Sequence, residues 1–376
     1  DGDARLSREA LPESSGSVGV GRVGDRVLVR SGPSMNAGRT LLVTGLLLCC
    51  AARAGAQGER LKLYGFFDTE LHAANQPGGP PWSFDQHHVN VVSIYNLDAH
   101  WRVFTEVEWE HAALVQLEQG VLEFKHTDAL QLKVGKFLPP FGLYNLRRDA
   151  TPTFLSVAAP NAIYGEHSNP MGLSQLLVPE FGTGLAVLGN AYLRGWQGEY
   201  AAYVTNGRGP EAAGQASNQA KGLGGRLVLH APGDALQLGL SYYADRNGDA
   251  SDTRQRAIGF DALARYADFV VEAEALAPRL EQADSAGRPN GRFRTGRAYY
   301  LQLSHLLGEA LTPFARYEYY DPDTGFAAKA DRDVVLGLNL AATRAVLLKG
   351  EVHLRTFQDP TQARYQQFVG AAAVAF

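Results

Sequence analysis

The groups in this sequence best suited to chemistry are charged side chains repeated along short alternating segments. Glu106 and Glu108 share a face with Arg102, and Lys133 stands in a similar stretch further on. Paired carboxylates can do general acid–base work, but rows of charge on several segments fit a wetted passage whose field they would set. A second concentration lies between Leu138 and Gly182, where Arg147, Arg148, Asp149, Glu166, His167 and Glu180 occur. No nucleophile elbow, His-Glu-x-x-His pair or phosphate-binding loop occurs in residues 57–376, so no catalytic residue, no cofactor and no enzyme activity is expected.

His87-His88 is the one adjacent histidine pair. On a regular strand the two rings project to opposite faces and cannot chelate one ion together, so no metal site is expected. Asp245-Arg246-Asn247-Gly248-Asp249 with Asp252, and Asp321-Pro322-Asp323-Thr324-Gly325, have the composition of calcium loops. They lack the spacing and closing Glu of an EF-hand, and turns between strands are their expected meaning.

Met35 opens a stretch with the three parts of a secretory signal: Arg39, an apolar run from Leu41 to Leu48, and Ala54-Gly55-Ala56 before Gln57. The expected organisation is an unstructured upstream extension over 1–34, a signal peptide over 35–56 cleaved after Ala56, and an exported domain over 57–376. Gly19 to Gly24 fits a dinucleotide-binding pattern by letter but follows no strand and opens no helix. Cys49 and Cys50 both fall inside the signal, and Leu48 is too bulky for a lipid-attachment site before Cys49. The exported domain then has neither disulfides nor thiolate metal sites. The apolar run is well short of the ~20 residues a spanning helix needs. A net charge of −4 does not point to nucleic acid, which is not expected as a partner.

From Gln57 onward, apolar and polar residues alternate with the period of a strand that has two unlike faces. Ala99, Trp101, Val103, Thr105, Val107 and Trp109 lie on one face, with His100, Arg102, Glu106, Glu108 and Glu110 on the other. Near the end, Val346, Leu348, Val352 and Leu354 oppose Lys349, Glu351, His353 and Arg355. That much charge on one face does not suit the core of a soluble sandwich. Segments of this kind fall at 60–72, 83–97, 99–111, 115–126, 129–137, 183–193, 195–206, 219–230, 234–246, 255–266, 267–278, 295–307, 311–320, 331–342, 346–357 and 365–376.

Short and long connections alternate between these segments, and both chain ends fall on the short side. Lipid cannot hydrogen-bond a backbone, so a non-helical span must close on itself. The fold class expected is therefore all-β: a transmembrane antiparallel β-barrel of about 16 strands. Aromatics near strand ends (Tyr64, Phe66, Trp82, Phe84, Trp196, Tyr299, Tyr300, Tyr319 and Tyr320) are expected to form girdles at the membrane surfaces. Phe368, Ala372, Val374 and the terminal Phe376 share a face of the last strand.

The stretch Val134-Gly135-Lys136-Phe137-Leu138-Pro139-Pro140-Phe141-Gly142 resembles the strand-to-loop signature of the phosphate-selective porin (Porin O and P) family. Tyr200 to Gly209, Gly222 to Leu229, Leu311 to Glu318 and Asp333 to Leu340 resemble further segments of it, and together the matches spread over nearly all of 61–376. The resemblance implies a homotrimeric channel set in the lipid of the bacterial outer membrane, through which small hydrophilic solutes or ions diffuse. It also implies that the long third outer loop, Leu138 to Gly182, folds into the lumen and forms its narrowest point. A loop of that length is in any case expected to be functional. The constriction candidates are then Arg147, Arg148, Asp149, Glu166 and His167 from the loop, with Arg102, Glu106, Glu108 and Lys133 from the wall. Lysines are few and Arg147-Arg148 is the one adjacent basic pair there, so general or weakly selective diffusion is expected ahead of a phosphate-type anion channel. A barrel acting as receptor or adhesin is the reading from another class.

Overall fold

Alternation of side-chain character along the chain becomes alternation of direction in space. The computed structural model describes residues 60–75, 82–147, 150–165, 179–207, 221–246, 252–325 and 330–376. The strands are β1 (Leu61–Ala74), β2 (Trp82–Asn96), β3 (Trp101–Glu110), β4 (Leu114–Thr127), β5 (Leu130–Phe137), β6 (Gly182–Leu193), β7 (Trp196–Thr205), β8 (Gly222–His230) and β9 (Leu236–Arg246). They continue as β10 (Arg254–Tyr266), β11 (Phe269–Ala283), β12 (Pro289–Thr295), β13 (Arg297–His305), β14 (Leu311–Asp321), β15 (Asp331–Ala341), β16 (Val346–Phe357) and β17 (Tyr365–Ala375).

Neighbours pair antiparallel in sequence order, and β1 pairs with β17, so the sheet closes on itself. β12 stands outside this ring. It pairs with the end of β11 alone, while β11 goes on to pair with β13, which leaves a closed barrel of sixteen strands and one short arm. Residues 278–295, which join the expected segments 267–278 and 295–307, thus contain an extension of β11 and the strand that folds back on it. The expected extension 1–34 and signal 35–56 lie outside the described residues.

Along the barrel strands the inward face carries most of the buried charge. On β14, Phe314, Arg316, Glu318 and Tyr320 are buried while Ala315 and Tyr317 are exposed; on β10, Gln255 and Asp261 are buried while Ile258 and Phe260 are exposed. This inverts the arrangement of a soluble protein and gives an apolar exterior around a polar lumen. The aromatic girdle needs one correction. Trp82, Phe84 and Trp196 are exposed, but Tyr300 and Tyr320 point into the lumen, because adjacent strand residues face opposite ways. Their neighbours Tyr299 and Tyr319 stack with ring centroids 5.0 Å apart.

Two of the close approaches that require glycine lie at β5 and at the seam. Gly135 on β5 has φ 134°, and a Cβ there would meet the carbonyl oxygen of Gly120 at 2.0 Å. At the seam, Gly65 and Phe376 exchange backbone hydrogen bonds of 2.8 Å in both directions, and a Cβ on Gly65 would lie 2.4 Å from the Phe376 ring.

Two of the β-bulges among the described strands bear on the inner face. On β2, Gln86 and His87 together stand opposite the single Thr69 of β1, between the pairs Asp68–His88 and Glu70–Asp85. On β4, Glu118 is the extra residue between the partners of Glu106 and Val107. Each bulge lets consecutive residues face the same side.

Candidate functional site

The connection from β5 to β6 lies against the inner wall of the barrel. Its described part contains one-turn 3₁₀ helices at Asn145–Arg147 and Thr151–Thr153 and the short helix α1 (Asn161–Tyr164). Pro139 and Pro140 follow β5 and end its ladder pairing, since proline offers no N–H. Asn145 then folds the loop back, its Nδ2 donating to the Pro139 carbonyl at 2.7 Å.

The wall supplies partners for the loop's backbone. The N–H groups of Val157 and Ala158 donate to the Glu351 carboxylate at 3.0 and 3.2 Å, and that of Ala162 donates to Glu318 at 2.8 Å. Lys349 Nζ donates to the carbonyls of Thr151, Phe154 and Ser156, the last at 3.0 Å, and Asn339 Nδ2 donates to Leu155 at 3.1 Å. A buried backbone group without a partner is costly, so these inward side chains are what allow irregular chain to lie inside a barrel.

Aromatic packing completes the attachment. Tyr144 meets Phe154, Tyr164 and Tyr300 with centroids 5.5, 5.8 and 6.0 Å apart. The Tyr144 hydroxyl donates to Glu272 at 3.1 Å and that of Tyr164 to Glu274 at 2.7 Å. Burial, reinforced by the adjacent carboxylates, pushes both loop hydroxyls above the usual tyrosine range, so they remain protonated donors.

Around the loop the wall carries paired charge. Arg226 forms a two-pronged bond with Asp261, one arm at 2.9 Å, and donates to Ser241 at 3.0 Å. Arg316 donates to Glu318 at 2.7 Å and to Gln302 at 3.2 Å. His353 bridges Asp333 and Glu351 at 2.7 and 3.0 Å, and Arg355 joins Asp333 at 3.2 Å.

Among the described residues, the constriction candidates occupy separate places. Arg147 stacks on Tyr144 with its guanidinium 4.6 Å from the ring centroid, and lies 3.8 Å from Glu272 on β11. Arg102 and Lys133 both pair with Glu123, Lys133 at 2.9 Å, beside the β2–β3 turn at the short-turn end. They line a recess of about 260 Å³ together with Asp98, Trp101 and Lys125. Glu106 accepts from Asn90 and Gln119 at 3.1 and 2.7 Å, and Glu108 accepts from Gln116 at 3.3 Å. Arg148, Asp149, Glu166 and His167 lie outside the described residues.

The residues that hold the loop were not among the candidates read from the sequence. Alternation puts Lys349 and Glu351 on a polar face, yet their partners are some two hundred positions away and no local pattern reports them. His87 and His88 do not face apart as they would on a regular strand. The bulge on β2 brings both rings inward, with centroids 3.7 Å apart, beside Asp68.

No protein-family model matches the sequence, and no curated protein matches it either. Solved structures do. An anion-selective porin from Comamonas acidovorans aligns with a TM-score of 0.61 at 11% identity, over 84% of this chain and 99% of that one. OmpT of Vibrio cholerae in its trimer form aligns at 0.55 and 12% identity, over 84% and 99%. The outer membrane channel DcaP of Acinetobacter baumannii aligns at 0.57 and 10% identity, over 84% and 97%. At such identities the likeness is one of fold: this chain is a closed sixteen-strand barrel of the kind found in outer-membrane porins.

Proposed function

We propose that the protein is a porin of the bacterial outer membrane, exported through the signal at 35–56 and giving passive diffusion of small hydrophilic solutes or ions. The observation that carries this reading is an apolar exterior around a charged lumen, with the β5–β6 connection held inside by Glu318, Lys349 and Glu351. In this reading the loop narrows a water-filled passage, and surrounding lipid covers the exposed apolar face. Assembly as a homotrimer is part of the reading, supported by the trimer form of the Vibrio cholerae protein.

Selectivity follows from which charges are compensated. Arg226, Arg316 and Arg355 each meet a carboxylate, and Lys349 is turned to loop carbonyls. Glu106 instead meets amides. This balance favours weak cation preference over a phosphate-type anion channel. Arg147, Arg148, Asp149, Glu166 and His167 would act at the loop, Glu106 and Glu108 on the facing wall, and Arg102 and Lys133 at the short-turn mouth.

Single-channel recording in a planar bilayer across a KCl gradient tests the proposal. Discrete open steps with a reversal potential of cationic sign are expected. Saturable block by phosphate would replace general diffusion with an anion-specific channel, and folded protein without conductance would leave a receptor or adhesin.

A further inference from the structure

The inner face of β1 to β3 carries a cluster that the pore reading does not use. The bulge on β2 turns His87 and His88 to the same side, where both are buried next to a fully buried Asp68. His88 Nδ1 lies 3.1 Å from Asp68 Oδ1, and His87 Nδ1 lies 3.6 Å from Asp68 Oδ2 and 3.0 Å from Glu70. The ligand atoms of Asp68, His87 and His88 all fall within 4.8 Å of one another. Bonds of ~2.1 Å in a tetrahedral site leave neighbouring donors roughly 3.4 Å apart, so binding would require only a small closure.

We propose that Asp68, His87 and His88 form a binding site for a divalent transition-metal ion of the zinc class in the barrel wall. Four features support the assignment. Two imidazoles and one carboxylate are a donor set suited to zinc, iron, nickel or copper rather than to calcium or magnesium, which prefer oxygen. Asp68 Oδ2 is buried and lies 3.6 Å from His87 Nδ1, longer than a hydrogen bond, while Oδ1 is held by His88 at 3.1 Å. The two rings lie with centroids 3.7 Å apart, so both imidazoles stand on one side of the strand beside Asp68.

The fourth feature is the surrounding shell. Glu70 is held by His72 at 2.7 Å, and Glu108 lies 3.7 Å from His88 Nε2, where it can orient the ring. His87 also belongs to a second set with Glu110 and His111. His111 is half-exposed at the β3–β4 turn and bonds Asp85 at 2.7 Å. This second set gives an ion a station between the long-loop end and the buried site. The proposal rests on the wall geometry alone and stands whether or not the barrel conducts.

The test uses the full-length exported protein, purified in detergent and stripped with EDTA. Titration with ZnCl2 by calorimetry, and with CoCl2 followed by its visible absorption, is expected to reveal stoichiometric binding, with no response to CaCl2. Asp68→Asn and His88→Ala should each weaken zinc binding by at least about tenfold, and His126→Ala, at an exposed position on β4, should leave it unchanged. Circular dichroism and heat-modifiable gel migration report folding. Should His88→Ala fail to fold, His87→Ala, which alters the bulged residue, carries the same expectation. Folded protein that binds no zinc, or variants that bind it as the unaltered protein does, would overturn the proposal.

Discussion

Glu351 on β16 accepts the backbone N–H of Val157 at 3.0 Å, across 194 positions of chain. The bond joins the barrel wall to the loop inside it, and the same carboxylate also takes Ala158 and His353.

Replacing Glu351 with alanine removes these acceptors together. Hydrogen bonds to a charged group contribute about 1.5–3 kcal/mol each, so the loop should lose its hold while the barrel ladder stays paired. Limited proteolysis should cut within 138–181 in Glu351→Ala and spare the unaltered protein. Equal resistance in both would show that Lys349 and the aromatic packing suffice.

Arg226 and Asp261 are both buried and bonded on two prongs. Arg226→Met leaves a buried carboxylate without its cation and should destabilise the barrel by about 3–5 kcal/mol in urea unfolding from lipid vesicles. The double variant Arg226→Met with Asp261→Leu should recover most of that loss. No recovery would mean that the pair contributes net stability rather than mutual compensation.

Gly135→Ala should fail in a different way. The added methyl would sit 2.0 Å from the Gly120 carbonyl at a φ of 134°, so β4 and β5 cannot keep both register and separation. Strain in that backbone region is of order 1–3 kcal/mol before the clash is added. A lower yield of the heat-modifiable folded species is the expected result, and wild-type yield would contradict it.

Arg102 and Lys133 are partly exposed partners of one carboxylate, Glu123, and such pairs contribute about 0–1 kcal/mol. Lys133→Ala should therefore leave the unfolding midpoint nearly unchanged and shift the reversal potential further toward cations. A large loss of stability with unaltered selectivity would place Lys133 in the scaffold instead.

Strand existence and facing were legible in the sequence because the barrel imposes period two on nearly every segment. The alternation at 101–109 and 346–355 matches the inward and outward faces of β3 and β16. It failed where the backbone inserts a residue. A bulge leaves no mark in composition, so His87 beside His88 on one side, and Glu118 next to Glu108, became visible only through register. Paired tyrosines misled for a related reason, since Tyr299 and Tyr300 are equally aromatic and only direction separates them. The attachment of the loop was beyond sequence reading because Lys349 and Glu351 look like any other polar-face residues until the chain returns to meet them.

The meeting of Gly65 with Phe376 bears on the order in which the barrel is assembled. Hairpins such as β10–β11 and β6–β7 close over two-residue connections and can form while the chain is still being delivered. The β1–β17 ladder joins segments from opposite ends of the described barrel, so its closure carries the greatest loop entropy of any pairing in the sheet. Until it forms, β1 and β17 each expose an unsatisfied edge, the state in which a foreign strand can add. The seam is then both the final step of folding and the place where an assembly factor, or a second misfolding chain, would take hold.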